Sequence, residues 1–463
     1  MSLGLLSSQS VVHAAATFST DVVERGRYLA VAGDCTSCHT LPGSGAPFAG
    51  GYAIASPLGA IYSTNITPSR KAGIGAYTEH QFARALRKGV RADGAHLYPA
   101  MPYTAYAGLS DDDVHALFAY FMQGVAPIDT QPPQTSLPFP FNLRISMSVW
   151  NALFLKDSRF KADPTKSDAW NRGAYLVTAL EHCSACHSPR NLLMAERTGR
   201  AFDGGQVGTW YAPNITSDPV SGIGGWSQEE LVQYLKTGAV YPKSQAAGGM
   251  AEAVEHSLQH LQPQDLDAIA TYIRTIAPIR DQAATLTAFA YDRPAHFEAA
   301  LRGVAPGTGS AASGATLYSG YCASCHQPSG AGSTDHTYPS LFHNTSTGAS
   351  QTDNLISTIL YGVDRDAGGQ RAFMPRFDDT SYVQSLTDEQ VATVGNYVLQ
   401  TFGNPTERIS AQDVATSRKG GARSPLIELA DFGVPLAAVA VALLGLAIWL
   451  VRRRHGSHTV QTS

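Results

Sequence analysis

The pentapeptide Cys-x-x-Cys-His occurs three times in this chain of 463 residues, at positions 35–39, 183–187 and 322–326. In this motif the two thiols form thioethers to a porphyrin, and the adjacent histidine is placed to ligate the iron, which makes it the attachment signature of c-type haem. All six cysteines of the chain belong to these motifs, so none remains for a structural disulfide. The sequence therefore predicts three covalently held haems c. The predicted attachment residues are Cys35, Cys38, Cys183, Cys186, Cys322 and Cys325.

Two other interpretations of a paired cysteine motif are a zinc site and a redox-active dithiol. Zinc needs four protein ligands per ion, so the cysteine pairs would have to share ligands or recruit others. A redox dithiol does not require a histidine directly after the second cysteine, three times in one chain. The repetition therefore favours haem, and with it the transfer of single electrons.

The segments around the first two motifs are repeats of each other. Residues 26–40 resemble residues 173–188, and residues 59–90 resemble residues 208–240. The third unit is more divergent but keeps the order helix, haem motif, long loop, helix, methionine loop and helix. The predicted domains are 20–125, 168–280 and 311–405. The other predicted segments are a signal-peptide remnant at 1–16, a Pro-rich linker with a bridging helix at 126–167, linkers at 281–310 and 406–431, a transmembrane helix at 432–451 and a cytoplasmic tail at 452–463.

Length and composition fit this division. A chain of this length is too long for one ordinary core, and about three domains is the natural expectation. The net charge of −4 shows no basic excess, so nucleic acid is not an expected partner. Abundant glycine (43) and proline (26) suit small loop-rich modules in which a buried haem supplies much of the apolar core. The predicted fold is all-α, with three tandem class I cytochrome c domains plus one C-terminal transmembrane helix.

A fixed spacing of methionines indicates the second iron ligand of each haem. The second helix of each unit ends at a glycine, and a methionine follows each glycine by twelve residues. Methionine sulfur is a common partner of histidine at low-spin haem iron and raises its reduction potential. The predicted axial pairs are His39 with Met101, His187 with Met250, and His326 with Met374. The weaker candidates, should a methionine fail, are His96, His256, His260 and His343.

The C-terminal region and the N-terminus predict a location. Residues 433–451 carry no charge, span about 28 Å as a helix and are followed by three arginines. Because haem is attached outside the bacterial cytoplasmic membrane, the haem domains are expected in the periplasm and the arginines in the cytoplasm. Residues 1–16 end in a small-residue pattern typical of a cleaved signal peptide. The prediction is a single-pass protein of the inner membrane.

Three features together resemble one known family. They are the segment 59–89, the methionine loop 97–103 and three haem motifs in a chain of this length. They resemble the triple-haem cytochrome c subunit of the membrane-bound periplasmic alcohol, gluconate, sorbitol, fructose and aldehyde dehydrogenases of acetic acid bacteria. The resemblance implies a non-catalytic subunit that takes electrons from a separate catalytic subunit and passes them to ubiquinone. It implies a partner carrying pyrroloquinoline quinone, FAD or a molybdenum cofactor, with a small third subunit and membrane lipid as further partners.

Two other functions remain open from the residues alone. A haem peroxidase would need an open or displaceable sixth position on an iron, which three well-placed methionines disfavour. A membrane-anchored cytochrome that donates electrons to a terminal oxidase would use the same haems with the opposite direction of flow. Reduction of the haems by a co-purifying dehydrogenase would separate these functions.

Overall fold

The computed structural model describes residues 18–292 and 313–427. The predicted signal remnant, transmembrane helix and cytoplasmic tail all lie outside the described residues. The names first, second and third unit are used below for the predicted domains 20–125, 168–280 and 311–405.

Helices form most of the first unit and of the segment that follows it. Helix α3 begins with a capping box, in which Thr78 and Gln81 satisfy each other's backbone amides, and ends at Gly89 in a left-handed conformation. The helices are α1 (Thr20–Ala32), α2 (Cys35–His39), α3 (Glu79–Lys88), α4 (Tyr103–Tyr106), α5 (Asp111–Ala119), a π-helical turn (Tyr120–Gly124) and the bridging helix α6 (Ser146–Phe154). The strands are β1 (Ala53–Ser56) and β2 (Gly59–Tyr62).

The second unit repeats this plan with one extra residue before its haem motif. Cys183 lies ten positions after Gly173, whereas Cys35 lies nine positions after Gly26. A π-helical turn (Leu176–Leu180) follows α7 in the second unit, as is common where one residue is inserted into a helix. The helices are α7 (Asp168–Tyr175), α8 (Ser184–His187), a 3₁₀ turn (Thr198–Arg200), α9 (Gln228–Thr237), α10 (Gly248–His256), a 3₁₀ turn (Leu258–His260) and α11 (Pro263–Ile273). The strands are β3 (Gly205–Val207), β4 (Trp210–Ala212), β5 (Ala239–Val240) and β6 (Ser244–Gln245).

The third unit has its own hydrophobic core, built around Leu317, Leu360, Leu399 and Phe402. Its longest helix begins with a capping box at Thr387 and Gln390. The helices are α12 (Gly314–Tyr321), α13 (Ala323–His326), α14 (Thr345–Gly348), α15 (Asp353–Tyr361), α16 (Asp388–Phe402) and α17 (Ala411–Arg418). The strands are β7 (Val363–Ala367) and β8 (Gln370–Met374).

The prediction of an all-α fold is wrong, because the described residues contain four two-stranded antiparallel sheets. Three of these hairpins are very short, and the amides at their edges find partners far away in sequence. Tyr62 donates its amide to Thr135, and Tyr211 donates to Asn354. Long-range contacts of this kind leave no periodic signal in the strand itself, so the sequence pattern did not reveal them.

The predicted membrane arrangement is also corrected. Within residues 18–292 and 313–427, no helix combines the length and the apolar composition that crossing a bilayer requires. The single-pass inner-membrane prediction therefore has no support in the described structure, and its proposed span belongs to the part that is not described.

The first two units share one continuous core and make equivalent contacts with each other. Leu29 of α1 and Leu176 at the start of the π turn are both buried in this core. Tyr28 of the first unit donates to Asp265 of the second at 2.6 Å. The equivalent Tyr175 of the second unit donates to Asp113 of the first. Each unit therefore provides one tyrosine that donates a hydrogen bond to an aspartate of the other unit.

An arginine from the same unit completes each of these acid sites. Arg25 lies 2.6 Å from Asp113, and Arg172 lies 2.7 Å from Asp265. The hydrogen bond from Arg172 holds the pKa of Asp265 below its ordinary value against the opposing effect of burial. Asp113 lies at the start of α5 and Asp265 at the start of α11, which are the last helices of the first and second units. The tyrosine and arginine contacts therefore fix the N-terminal ends of these two helices.

Candidate haem sites

Each Cys-x-x-Cys-His motif lies at a short helical turn that follows the first helix of its unit. In the first unit the turn is α2, whose two cysteines are three residues apart and so share one face. All six cysteines are unpaired and none is fully buried. The motif cysteines Cys35, Cys183 and Cys322 pack against the core of their own unit. The two thiols of each motif therefore lie beside the apolar core, where they could hold a flat apolar group such as a porphyrin against it.

The electrostatics of the thiols disfavour a redox dithiol. Burial raises the pKa of the Cys35, Cys38 and Cys322 thiols to about 12. Burial also raises the pKa of Cys183 and Cys186. Catalytic dithiols need a lowered pKa, because the thiolate is the reactive form. A zinc site is equally disfavoured, since the described residues contain no cluster of three or more histidine, cysteine or acidic side chains suited to a metal ion.

All three motif histidines are held in the same way. Nδ1 of each imidazole donates to a backbone carbonyl, that of Thr64 at 2.6 Å for His39 and that of Pro213 at 2.7 Å for His187. For His326 the acceptor is the carbonyl of Pro339 at 2.9 Å. Burial lowers the pKa of all three imidazoles, which favours the neutral form that binds metals.

The backbone carbonyl of each motif histidine is held as well. It accepts a hydrogen bond from the amide of Gly50, Gly204 or Gly332 at 2.8, 2.8 and 3.0 Å respectively. Gly332 has φ +71° and lies so close to Tyr338 that a Cβ would be 2.3 Å from its carbonyl oxygen. Both the imidazole and the backbone of each histidine are thus fixed, and Nε2 has no hydrogen-bond partner among the described residues. This is the arrangement of a metal-ligating histidine whose other nitrogen is oriented by a carbonyl.

The repeated Asn-Ile-Thr segments support the histidine acceptors in the first two units. Asn65 follows Thr64, and its side-chain amide donates to the carbonyl of Ile128 at 2.7 Å. Asn214 follows Pro213 and donates to the carbonyl of Ile279 at 2.7 Å. The asparagine therefore ties the loop that holds the histidine to the end of its unit. Sequence reasoning missed the role of the preceding carbonyl, although the repeat of Asn-Ile-Thr after the first two motifs was its signal.

Each predicted methionine ligand lies in the same unit and against the same core as its motif. Met101, Met250, Cys35 and Cys183 all pack against the core that the first two units share. Met374 and Cys322 pack against the core of the third unit. Of the alternative ligands, His260 and His343 are engaged with backbone carbonyls, those of Glu255 and Phe289. The Met assignment remains a prediction, and the placement of the residues is compatible with it.

The donor set fits haem c at each motif. Paired thiols would bind the porphyrin covalently, a neutral histidine with a free Nε2 would bind the iron, and a methionine from the same unit is available for the opposite face. When bound, haem supplies an iron that accepts and donates one electron at a time. The protein would hold the ligands of that iron and set its electrostatic surroundings.

Groups of the second unit lie close to the haem motif of the first. Electrostatic repulsion from the Cys186 thiol contributes to raising the pKa of the Cys38 thiol. Helix α10, which carries Met250, packs against α2 of the first unit. Glu252 of α10 acts electrostatically on Cys38 and on Asp34. The second unit therefore contributes directly to the surroundings of the first haem motif.

Comparison with known proteins agrees with this geometry. The family model for cytochrome c matches three segments, 23–124, 171–277 and 311–402. The chain belongs to the cytochrome c family. Within it, this cytochrome is 48% identical to the fructose dehydrogenase cytochrome subunit of Gluconobacter japonicus, over 93% of this chain and 91% of the relative. It is 38% identical to the gluconate 2-dehydrogenase cytochrome c subunit of Pantoea cypripedii, over 86% of this chain and 90% of the relative.

A third relative extends the same group. The cytochrome c subunit of the alcohol dehydrogenase (quinone) of Gluconacetobacter polyoxogenes is 35% identical over 87% of this chain and 85% of the relative. The predicted membership among the cytochrome subunits of such dehydrogenases is thus confirmed, and haem c is the cofactor that the family implies.

Asp34 provides a test of the electrostatics beside the first motif. Burial raises its pKa to about 7, although a hydrogen bond from Ser37 opposes the shift. Between pH 4 and 7 the unfolded carboxyl is ionised while the folded one keeps its proton, so stability should fall as the pH rises through this window. The variant Asp34→Asn mimics the protonated acid and tolerates the left-handed backbone at this position (φ 50°).

Thermal unfolding at pH 5 and pH 8 should therefore show a smaller loss of Tm for Asp34→Asn than for the unmodified cytochrome. The exposed Asp112→Asn should behave like the unmodified protein. Equal pH dependence in Asp34→Asn and the unmodified protein would show that Asp34 is ionised in the folded state.

Proposed function

We propose that this cytochrome carries three haems c and transfers electrons from a catalytic dehydrogenase subunit to ubiquinone. The observation that carries the proposal is the repetition, at all three motifs, of the same histidine geometry beside unpaired cysteines and a methionine in the same core. A chain built around three such sites is suited to splitting a two-electron oxidation into single-electron steps.

The relatives support the nature of the donor and the acceptor. The cytochrome subunits of fructose, gluconate and alcohol dehydrogenases match this chain over most of their length. The name of the alcohol dehydrogenase relative specifies a quinone as the acceptor. We therefore infer a catalytic partner that oxidises an alcohol, a sugar or a sugar acid through its own cofactor, of the pyrroloquinoline quinone, FAD or molybdenum type.

The residues of this cytochrome have three tasks in such a complex. The thiols anchor each porphyrin, and the carbonyls of Thr64, Pro213 and Pro339 keep the histidines neutral and oriented. The shared core of the first two units keeps their motifs at a fixed separation, so that transfer between them does not depend on diffusion. No acid, base or nucleophile is required from this chain, because the substrate chemistry belongs to the partner.

A haem assay and a reconstitution test the proposal. Purified cytochrome should contain three covalent haems per chain by the pyridine haemochrome method, all low-spin. Co-expression with its catalytic subunit should give a complex in which fructose, gluconate or ethanol reduces the haems, and a soluble ubiquinone analogue should then reoxidise them. Haems that are reduced by the substrate but not reoxidised by the quinone would reject the proposed acceptor. If the substrate does not reduce the haems, and only an oxidase or peroxide changes their oxidation state, the dehydrogenase role is wrong.

A further inference from the structure

The three predicted methionine loops are stabilised by different means. In the first unit Arg84 of α3 donates to the carbonyl of Arg91, in the segment that joins α3 to the methionine loop, at 2.7 Å. In the third unit Met374 lies on strand β8, where it is paired in register with Val363. The second unit has neither device: its hairpin β5–β6 contains only two residues in each strand.

The sequence of the second unit also restrains the backbone around Met250 less than the other two units restrain theirs. Counting back from the glycine that ends the second helix, Gln233 occupies the position that Arg84 has in the first unit. Met250 follows Gly248 and Gly249, and the residue after it is alanine, whereas Met101 and Met374 are followed by proline. Gly248 and Gly249 form the start of helix α10, whose third residue is Met250, and neither these glycines nor a following proline restrains the backbone there. The position of Met250 therefore depends on how the segment 239–247, which leads into α10, is held.

Arg365 of the third unit reaches into this loop. It lies on strand β7, which packs against α10, and its residue is only 3% exposed. Nη1 donates to the carbonyl of Ala246 at 2.7 Å, and Nη2 donates to Oε1 of Gln245 at 2.9 Å. Gly238 accommodates the guanidinium, because a Cβ at that residue would lie 2.7 Å from Nε. The third unit thus supplies to the second unit the kind of contact that Arg84 makes within the first.

The burial of Arg365 has an energetic cost. Among the described residues no carboxylate lies within ion-pair distance of its guanidinium, and Nε has no hydrogen-bond partner. Burial lowers the pKa of Arg365, and Tyr234 and Glu255 of the second unit oppose this shift electrostatically. A buried cation without an ion-pair partner is costly, and an apolar side chain of similar size is often at least as stable in such a place. A role in organising the loop accounts for its presence better than a role in overall stability.

We propose that Arg365 is a positioning residue for Met250, holding the methionine loop of the second unit so that its sulfur ligates the iron of that unit. The inference rests on the proposed function, since it requires a haem at the second motif with Met250 as its ligand. It makes the ligation of the second haem dependent on the docking of the third unit, although the two units bind their haems separately.

The variant Arg365→Gln tests this in the full-length cytochrome. It should keep all three covalent haems by the pyridine haemochrome method. The near-infrared absorption of ferric methionine-ligated haem should fall by one third, and one haem per chain should bind carbon monoxide when reduced. A redox titration should show a lower midpoint potential for one haem and unchanged potentials for the other two. Arg371→Gln is the matched control, because Arg371 lies on the partner strand β8, is exposed and pairs with Asp364.

Two further variants separate the loss of the arginine contact from poor folding of Arg365→Gln. Gln245→Ala removes only the acceptor of Nη2 and should shift the same haem in the same direction by a smaller amount, even if Arg365→Gln folds poorly. Arg365→Lys should restore part of the methionine absorption. Unchanged spectra and potentials in both Arg365→Gln and Gln245→Ala would overturn the proposal, as would a loss spread over all three haems. A protein whose unmodified form shows fewer than three methionine-ligated haems would instead contradict the proposed axial ligands, before any variant is made.

Discussion

Replacing both Cys183 and Cys186 by serine should remove one third of the covalent haem and destabilise the first two units together. Serine cannot form the thioether bonds that retain the porphyrin, so acid–acetone extraction should leave two haems per chain. Without its haem, the second unit would lose much of the apolar surface that fills a small domain of this kind. Because the core of the second unit continues into that of the first, the loss should lower the unfolding temperature of both.

The effect is measured by haem content after extraction and by calorimetry. Ala185→Ser provides the matched control, since it changes the same turn without touching a thiol, and it should keep three haems. The equivalent change at Cys322 and Cys325 should leave the first two units nearly unaffected, because the third unit has a separate core. If the Cys183/Cys186 variant keeps three haems after acid–acetone extraction, these two cysteines do not bind haem covalently.

Replacing Gly173 by alanine should destabilise the second unit by about 3 kcal/mol, which is at the upper end of the usual cost of overpacking. A Cβ at Gly173 would lie 1.9 Å from the carbonyl oxygen of Ala268, where α7 crosses α11. Backbone cannot rotate away as a side chain can, so the two helices would have to separate. The separation would also disturb Arg172 and Asp265, which join the same two helices.

The helical preference of alanine over glycine works in the opposite direction but is worth only about 1 kcal/mol. At Gly173 the cost of steric overlap should therefore exceed the gain in helix propensity. The control is Gly199→Ala, where a Cβ would meet no atom within 4 Å. Urea unfolding of the holo-cytochrome should show a large loss for Gly173→Ala and a change within about 1 kcal/mol for Gly199→Ala. Similar stability of the two variants would mean that the helix crossing is wider than the structure shows.

Much of the local structure could be predicted from the sequence because the signals were local. The helices before each motif and the helices capped at Thr78, Ser227 and Thr387 follow from capping residues and helical periodicity. Helix α6 lies within the segment predicted to bridge the first two units, and Gly89 and Gly238 adopt the left-handed conformation expected of a helix end. The haem motifs are likewise short sequences whose chemistry does not depend on the rest of the chain.

What the sequence did not reveal depends on residues distant from each other. The carbonyl of Pro339 that holds His326 belongs to a loop with no motif of its own. The exchange of Tyr28 and Tyr175 between units, and the reach of Arg365 into the second unit, depend on how whole units pack. A buried arginine looks like a surface residue in a single sequence, because partners such as the backbone carbonyl of Ala246 and the amide oxygen of Gln245 carry no distinctive sequence signal. Such contacts become visible only when the units are placed side by side.

The exchange of tyrosines between the first two units is self-complementary. A single domain with arginine, tyrosine and aspartate at these three positions could pair with a second copy of itself and make both halves of the contact. Joining two such domains in one chain raises their effective concentration, so the pair no longer depends on how much protein is present. Each half is then free to diverge, and in this chain only one half received an arginine from a third neighbour. Two units built on the same plan therefore have unequal surroundings in this chain.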